Sequence, residues 1–271
     1  MNIIKSYAVK NLCYLANKKM RPQGIVVHST GANNPMLNRY VDCPEKLGEN
    51  KYNNHWNQPK PGGREVCVHA FIGYDKNKNI RVAEILPLNI CCWGVGNGSN
   101  GSYNYSPPYI QFEICEDNLE DEKYYRKVFD KAIEYSAMLC EEYGINVDNI
   151  VGHCEAYRLG YGSNHSDPEH WMKQFGETMD DFRKSVSDIL YKDRPPKCFD
   201  IINGFFQGDL VSIAQDAVYY DGRAIPSWVK SQNWYIRDYP VGDRAIIDEN
   251  ESKTNSICSA IDVKYLTLVR R

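Results

Sequence analysis

Residues 24–31 read Gly-Ile-Val-Val-His-Ser-Thr-Gly, and they decide the fold. Three β-branched residues in a row, bounded by glycine, are the composition of a strand. His28 closes that strand just before Ser29, Thr30 and Gly31, where a strand tip opens into a loop and a side chain can face a cleft. Three further stretches have the same character: residues 67–74 (CVHAFIGY), 80–86 (IRVAEIL) and 109–115 (YIQFEIC). Together they supply a sheet. Between residues 121 and 143 the apolar positions Tyr125, Val128, Phe129, Ala132, Tyr135, Met138 and Leu139 follow helical spacing, acidic residues open the segment and Gly144 ends it. A second helical pattern covers residues 179–190. Strands and helices mixed around one sheet predict an α/β domain.

The chain is 271 residues long, which suits one medium domain and one small one. Residues 191–199 carry a Pro-Pro pair among charges, a composition that stops a helix and stiffens a connector, so the expected division is a domain over 1–190, a linker over 191–199 and a second domain over 200–271. The last domain shows short strand-like pieces separated by Gly, Pro, Asn and Asp, the pattern of a small β-barrel. Tyr219, Tyr220, Trp228 and Trp234 lie within it, available either to stack on sugar rings or to fill the barrel.

Composition narrows the function. Hydrophobic residues make up 42% and charged residues 25%, ordinary globular values, and a formal charge of -3 gives no broad basic field for nucleic acid. No run of about 18 apolar residues predicts a membrane span. The first nineteen residues are broken by lysines and asparagines and contain no apolar leader segment, so synthesis in the cytoplasm without a signal peptide is expected. Ten cysteines with no Cys-x-x-Cys pair read mostly as buried reduced thiols.

The chemistry is carried by histidines whose contexts agree. His153 ends Ile150-Val151-Gly152 as His28 ends its strand, and Asp167 follows in a loop of turn formers, Asn164-His165-Ser166-Asp167-Pro168. Two imidazoles and one carboxylate leave a fourth tetrahedral position for water, as a catalytic zinc requires. His165 is the alternative third ligand, with Asp167 then orienting it. Cys154 follows His153 and, if the strand continued outward, would point the other way.

At this point residues 24–31, Val66-Cys67-Val68-His69-Ala70-Phe71-Ile72, Ile110-Gln111-Phe112-Glu113-Ile114, Val151-Gly152-His153 and His165-Ser166-Asp167-Pro168 together resemble the type 2 N-acetylmuramoyl-L-alanine amidases, whose fold is shared with peptidoglycan-recognition proteins. His170-Trp171 and Met179-Asp180-Asp181-Phe182-Arg183 look like those of clostridial phage and prophage endolysins. The resemblance covers roughly residues 11–186. It implies a mixed central sheet flanked by helices and one Zn2+ held by His28, His153 and Asp167. It also implies Glu113 as the acid that moves a proton from water to the leaving amine, and His165, where many relatives have a lysine, as the group that stabilises the oxyanion. The implied substrate is bacterial peptidoglycan, cut between N-acetylmuramic acid and L-alanine. The implied site of action is the cell wall, reached through a holin or lysis.

His69, Trp93, Tyr103 and Tyr105 are expected to line the substrate cleft, the last two from a Gly/Asn-rich loop that is otherwise a surface loop. The C-terminal domain resembles bacterial SH3-like wall-binding domains, with Tyr219, Tyr220, Trp228 and Trp234 as wall-contacting residues. Two rivals stand beside this reading. A non-catalytic peptidoglycan-binding protein of the same fold would lack a metal ligand. A wall glycosidase or cysteine peptidase would need a carboxylate pair or an activated Cys-His couple.

Overall fold

The computed structural model describes residues 1–191, 205, 207–237, 243–252 and 255–270. Contacts divide the chain into two units, Met1–Asp193 and Arg194–Arg271. Most of the expected linker, residues 192–199, lies outside the described residues.

In the first unit the elements run β1 (Ile3–Lys5), α1 (Leu12–Ala16), β2 (Ile25–Ser29), α2 (Pro44–Leu47), β3 (Ala70–Tyr74), β4 (Ile80–Glu84), β5 (Ile110–Ile114), α3 (Glu122–Tyr143), β6 (Ile150–Gly152), α4 (His153–Arg158), α5 (Glu169–Met172) and α6 (Met179–Tyr191). The strands form one mixed sheet in the order β1-β4-β3-β5-β2-β6, parallel except where β3 meets β4. Every residue of β2 is buried, because β2 lies inside the sheet and both its faces are covered.

Side chains alternate across the sheet, and the two faces have different duties. Ile25, Val27, Ile110, Phe112, Ile114, Ala70 and Ile72 pack under α3 and α6 together with Trp171. α3 forms where its spacing predicts: the Asp121 carboxylate caps the backbone N–H groups of Lys123 and Tyr124, and Gly144, at φ 66°, closes the helix by bonding back to Cys140. The opposite face carries Phe71 and Ala83 into a second cluster with Leu37, Tyr40 and Leu47. That face also presents His28, Gln111 and Glu113, since His28 pairs in register with Glu113, and Gln111 stands two residues earlier on β5. Cys13, Cys67, Cys91, Cys92, Cys115 and Cys140 are buried free thiols.

The second unit contains β7 (Leu210–Ile213), α7 (Ser227–Lys230), β8 (Trp234–Ile236), β9 (Arg244–Asp248), β10 (Ser256–Asp262) and β11 (Leu266–Arg270). Its strands make an antiparallel sheet in the order β10-β9-β8-β7-β11 around Val211, Val229, Trp234, Ile236, Ile247 and Ile261. The short helix α7 follows Pro226 in a domain whose sequence reads as strand-like pieces alone.

Candidate metal centre

β2 and β6 run parallel and in register, with Val27 opposite Gly152, so the next residue along each chain segment, His28 and His153, meets its counterpart at the C-terminal ends of the strands. His153 does not sit on a continuing strand, as its sequence suggests. It opens α4, whose cap Gly152 donates its N–H to Glu155 Oε2 at 3.0 Å. Glu155 is in turn held by a two-pronged bond from Arg183 of α6, at 2.8 and 2.9 Å. Cys154 therefore lies on the first turn of a helix, where Arg158 contacts its sulfur at 2.8 Å. Asp167 is brought in by its loop, its backbone carbonyl accepting from Cys154 N at 3.1 Å.

Three donor atoms converge. His28 Nδ1 lies 3.0 Å from His153 Nδ1 and 3.2 Å from Asp167 Oδ2, and His153 Nδ1 lies 3.4 Å from Asp167 Oδ1. All three residues are buried, and their ligand atoms lie within 4.8 Å of one another. The far nitrogens are occupied: His28 Nε2 faces Gln111 Oε1 at 3.2 Å and His153 Nε2 faces Ser163 Oγ at 3.3 Å. With those nitrogens donating, the two Nδ1 lone pairs and a carboxylate point at one spot, an arrangement that repels itself unless a cation sits between them. The residues fit a zinc ion. Burial alone would raise the Asp167 pKa, but contact with His153 and His28 outweighs it and holds the carboxyl far below its usual range. Burial also lowers the His153 pKa, the direction that favours the neutral ring a metal needs.

Of the two candidates for third ligand, Asp167 belongs to the cluster and His165 does not. His165 is exposed, stacks on the His153 ring at 4.3 Å and turns Nδ1 toward Asp167 Oδ1 at 3.4 Å. Burial, followed by the charge of His153, lowers its pKa. Glu113 sits beside the cluster with Oε2 shielded and without a hydrogen-bond partner. Its pKa is pushed well above the usual carboxylate range by burial, then by Asp167 and Glu116.

A cleft of about 480 Å³ opens over the cluster between Ser29, Gly31 and residues 164–167, with His170 on its wall. His170 pairs with the buried Glu116 at 3.1 Å, and Ser29 Oγ donates to the same carboxylate at 2.5 Å. That network escaped the sequence reading, which named His170 only as part of the His170-Trp171 motif and gave it no role at the site. Gln111 was passed over too, though it is a polar residue in an apolar strand on the same alternating face as Glu113.

The remaining candidates divide. His69 is fully buried, accepts from Gln111 N through Nδ1 at 3.0 Å and donates through Nε2 to Ile90 O at 2.9 Å, so it has no atom left for substrate; this corrects the expectation that it lines the cleft. Tyr103 is likewise core, stacked between Tyr109 at 4.0 Å and Tyr161 at 4.7 Å. Trp93 is half-buried against the second cluster, and Tyr105 is exposed with the Lys18 ammonium 4.1 Å above its ring. In the second unit Tyr219 and Trp234 belong to the core, whereas Tyr220 and Trp228 are exposed.

The profile of the N-acetylmuramoyl-L-alanine amidase family matches residues 18–170, more than half of the chain, and spans every residue of the cluster. The chain belongs to this family. The bifunctional autolysin of Staphylococcus aureus is 25% identical to the amidase-family chain over 178 residues, which is 62% of this chain. The chain covers only 12% of the length of that curated relative. Among solved structures, the S. aureus hydrolase AmiA, crystallised with its ligand, is 25% identical with a TM-score of 0.50, covering 70% of this chain and 84% of that one. The family match and the buried triad fall on the same unit.

Proposed function

We propose that the chain is a zinc-dependent amidase that hydrolyses the bond between the lactyl group of N-acetylmuramic acid and L-alanine in bacterial peptidoglycan. The observation that carries this reading is the convergence of His28 Nδ1, His153 Nδ1 and an Asp167 oxygen inside a chain of this family. A zinc ion held there supplies Lewis acidity, lowering the pKa of a water to about 7 and polarising the carbonyl under attack.

The chain's own residues do the rest. Glu113, with its raised pKa and free Oε2, accepts a proton from the attacking water and passes it to the departing amine of L-alanine. His165, at the mouth of the cleft, donates a ring N–H to the developing oxyanion. Burial and the neighbouring His153 lower its pKa, so it differs there from the fixed cation a lysine supplies. Tyr105 is the aromatic of the Gly/Asn-rich loop that stays exposed, and it is the one left there to contact substrate. The second unit is read as an SH3-like wall-binding module that uses Tyr220 and Trp228, and the protein as one made in the cytoplasm that reaches the wall on release.

The test is digestion of purified cell wall with and without a chelator, followed by mass spectrometry. New L-alanine amino termini on intact glycan strands, lost on chelation, are expected. New reducing ends, or cleavage indifferent to the chelator, would overturn the assignment, and binding without cleavage would mark a recognition protein. His28→Ala should lose bound zinc and wall cleavage together; a variant that keeps both refutes the ligand set.

A further inference from the structure

Both candidate ligand histidines trace back through hydrogen bonds to one turn of three residues, Gly94-Val95-Gly96. The backbone N–H groups of Gly94 and Val95 each point at Asn104 Oδ1, at 3.2 Å. A backbone amide can only donate, so this atom of Asn104 is its carbonyl oxygen. Gln111 must then offer its NH2 to the same oxygen, at 2.9 Å, which turns Gln111 Oε1 toward His28 Nε2. An amide oxygen can only accept, so His28 carries its hydrogen on Nε2 and leaves Nδ1 as a lone pair.

The other histidine is read from the other side of Val95. The Val95 carbonyl accepts from Ser163 N at 2.8 Å and from Ser163 Oγ at 3.1 Å. With its hydroxyl hydrogen committed to a carbonyl, Ser163 Oγ can only accept from His153 Nε2, at 3.3 Å. His153 also keeps Nδ1 free. The two flanking glycines belong to the same device. A Cβ at Gly94 would overlap Gln111 Oε1, and one at Gly96, whose φ is already +70°, would stand 2.8 Å from Ser163 Oγ. Each glycine is thus the space into which one histidine's acceptor fits.

We infer that the Gly94-Val95-Gly96 turn positions the candidate metal centre: the Val95 N–H sets the tautomer of His28 through Asn104 and Gln111, and the Val95 carbonyl sets that of His153 through Ser163. The inference rests on the proposed zinc reading for its purpose but not for its geometry. These are positioning residues that touch neither substrate nor metal.

Long-range 15N–1H spectra of the imidazoles in the metal-free full chain test it directly. Both Nε2 atoms should carry hydrogen, whether or not a further proton is shared between the Nδ1 atoms. Gly94→Ala and Gln111→Leu should shift the His28 ring toward the Nδ1–H form and spare His153, whereas Gly96→Ala and Ser163→Ala should do the reverse. Zinc affinity, read by competition with a chromophoric chelator, should fall about 10- to 100-fold in each variant. Ser163→Thr, which restores the hydroxyl, should recover it. A general loosening of the fold would move both rings in every variant and would not be rescued by threonine, and that outcome overturns the proposal. So does a wild-type ring protonated on Nδ1 alone. A wild type with the expected tautomers that binds no zinc leaves the positioning network standing and overturns the metal reading.

Discussion

Glu113 is held by burial, Asp167 and Glu116 in a place where losing its proton is costly, and this has a consequence for stability. A carboxyl whose pKa is raised on folding makes the native state bind more protons than the unfolded chain. Its contribution is fully present below the ordinary value of 4.5 and is lost as pH climbs through the raised one. Chelator-treated protein should therefore lose up to about 1.4 kcal/mol of stability per pH unit within that window, and Glu113→Gln should remove that slope. Urea unfolding at a series of pH values reads it; parallel curves for the two proteins would show that Glu113 is not the group responsible. Zinc pulls the carboxyl back down, so the measurement belongs to the metal-free form. At this scale His28 and His153 were legible because each is a polar residue at the end of a short apolar strand, whereas Glu113 was singled out by the family resemblance and not by its strand pattern. His69 has the same signature and a different fate, since the segment leading to Ile90 folds over it and takes its Nε2 hydrogen, while Ile85 and Leu86 bond its carbonyl. Asn104 and Ser163 were not legible at all, because a loop residue's partner is fixed only when distant segments meet.

Elements were read more reliably where local and long-range forces agree. α3 has a capping aspartate, helical spacing of its buried face and a left-handed terminal glycine, and the structure places it within one residue of the prediction. Asp121 is exposed, so its contribution is the cap and its charge at the helix's positive end. Asp121→Ala should cost about 1 kcal/mol in urea unfolding with no change in zinc affinity. A loss of affinity would mean that α3 positions the cluster and not only the sheet beneath it. α4 shows the opposite case. Six residues cannot hold a helix by propensity, and the sequence Val-Gly-His reads as a strand tip. What holds the helix is Arg183, contributed from α6 28 residues away along the chain, gripping Glu155. The short strand β1 was likewise invisible, since three residues carry too little pattern and form only against a partner already in place, whereas β6, equally short, was legible as the strand tip before His153.

The two units each bury their own core, so the proposed part of the second unit in wall attachment can be tested apart from the site on the first. Two tryptophans of the second unit, with ring centroids 6.0 Å apart, provide the control. Trp234 is 1% exposed and donates its indole N–H to Val229 O at 2.7 Å, whereas Trp228 is 59% exposed. Trp234→Ala empties the core and should cost about 3–5 kcal/mol. Trp228→Ala removes surface that is already wet and should leave stability nearly unchanged. If the second unit is a wall-binding module, Trp228→Ala will still weaken sedimentation with purified walls, because a flat exposed indole is a surface on which sugar rings stack. Cleavage of a small soluble muramyl peptide should be untouched in Trp228→Ala and in a fragment ending at Asp193. Both should cut intact walls more slowly, since tethering acts by raising local enzyme concentration and a freely diffusing substrate gains nothing from it. Equal slowing on soluble and insoluble substrates would instead assign the second unit a part in the chemistry. Undiminished wall binding by Trp228→Ala would move the contact elsewhere on that unit.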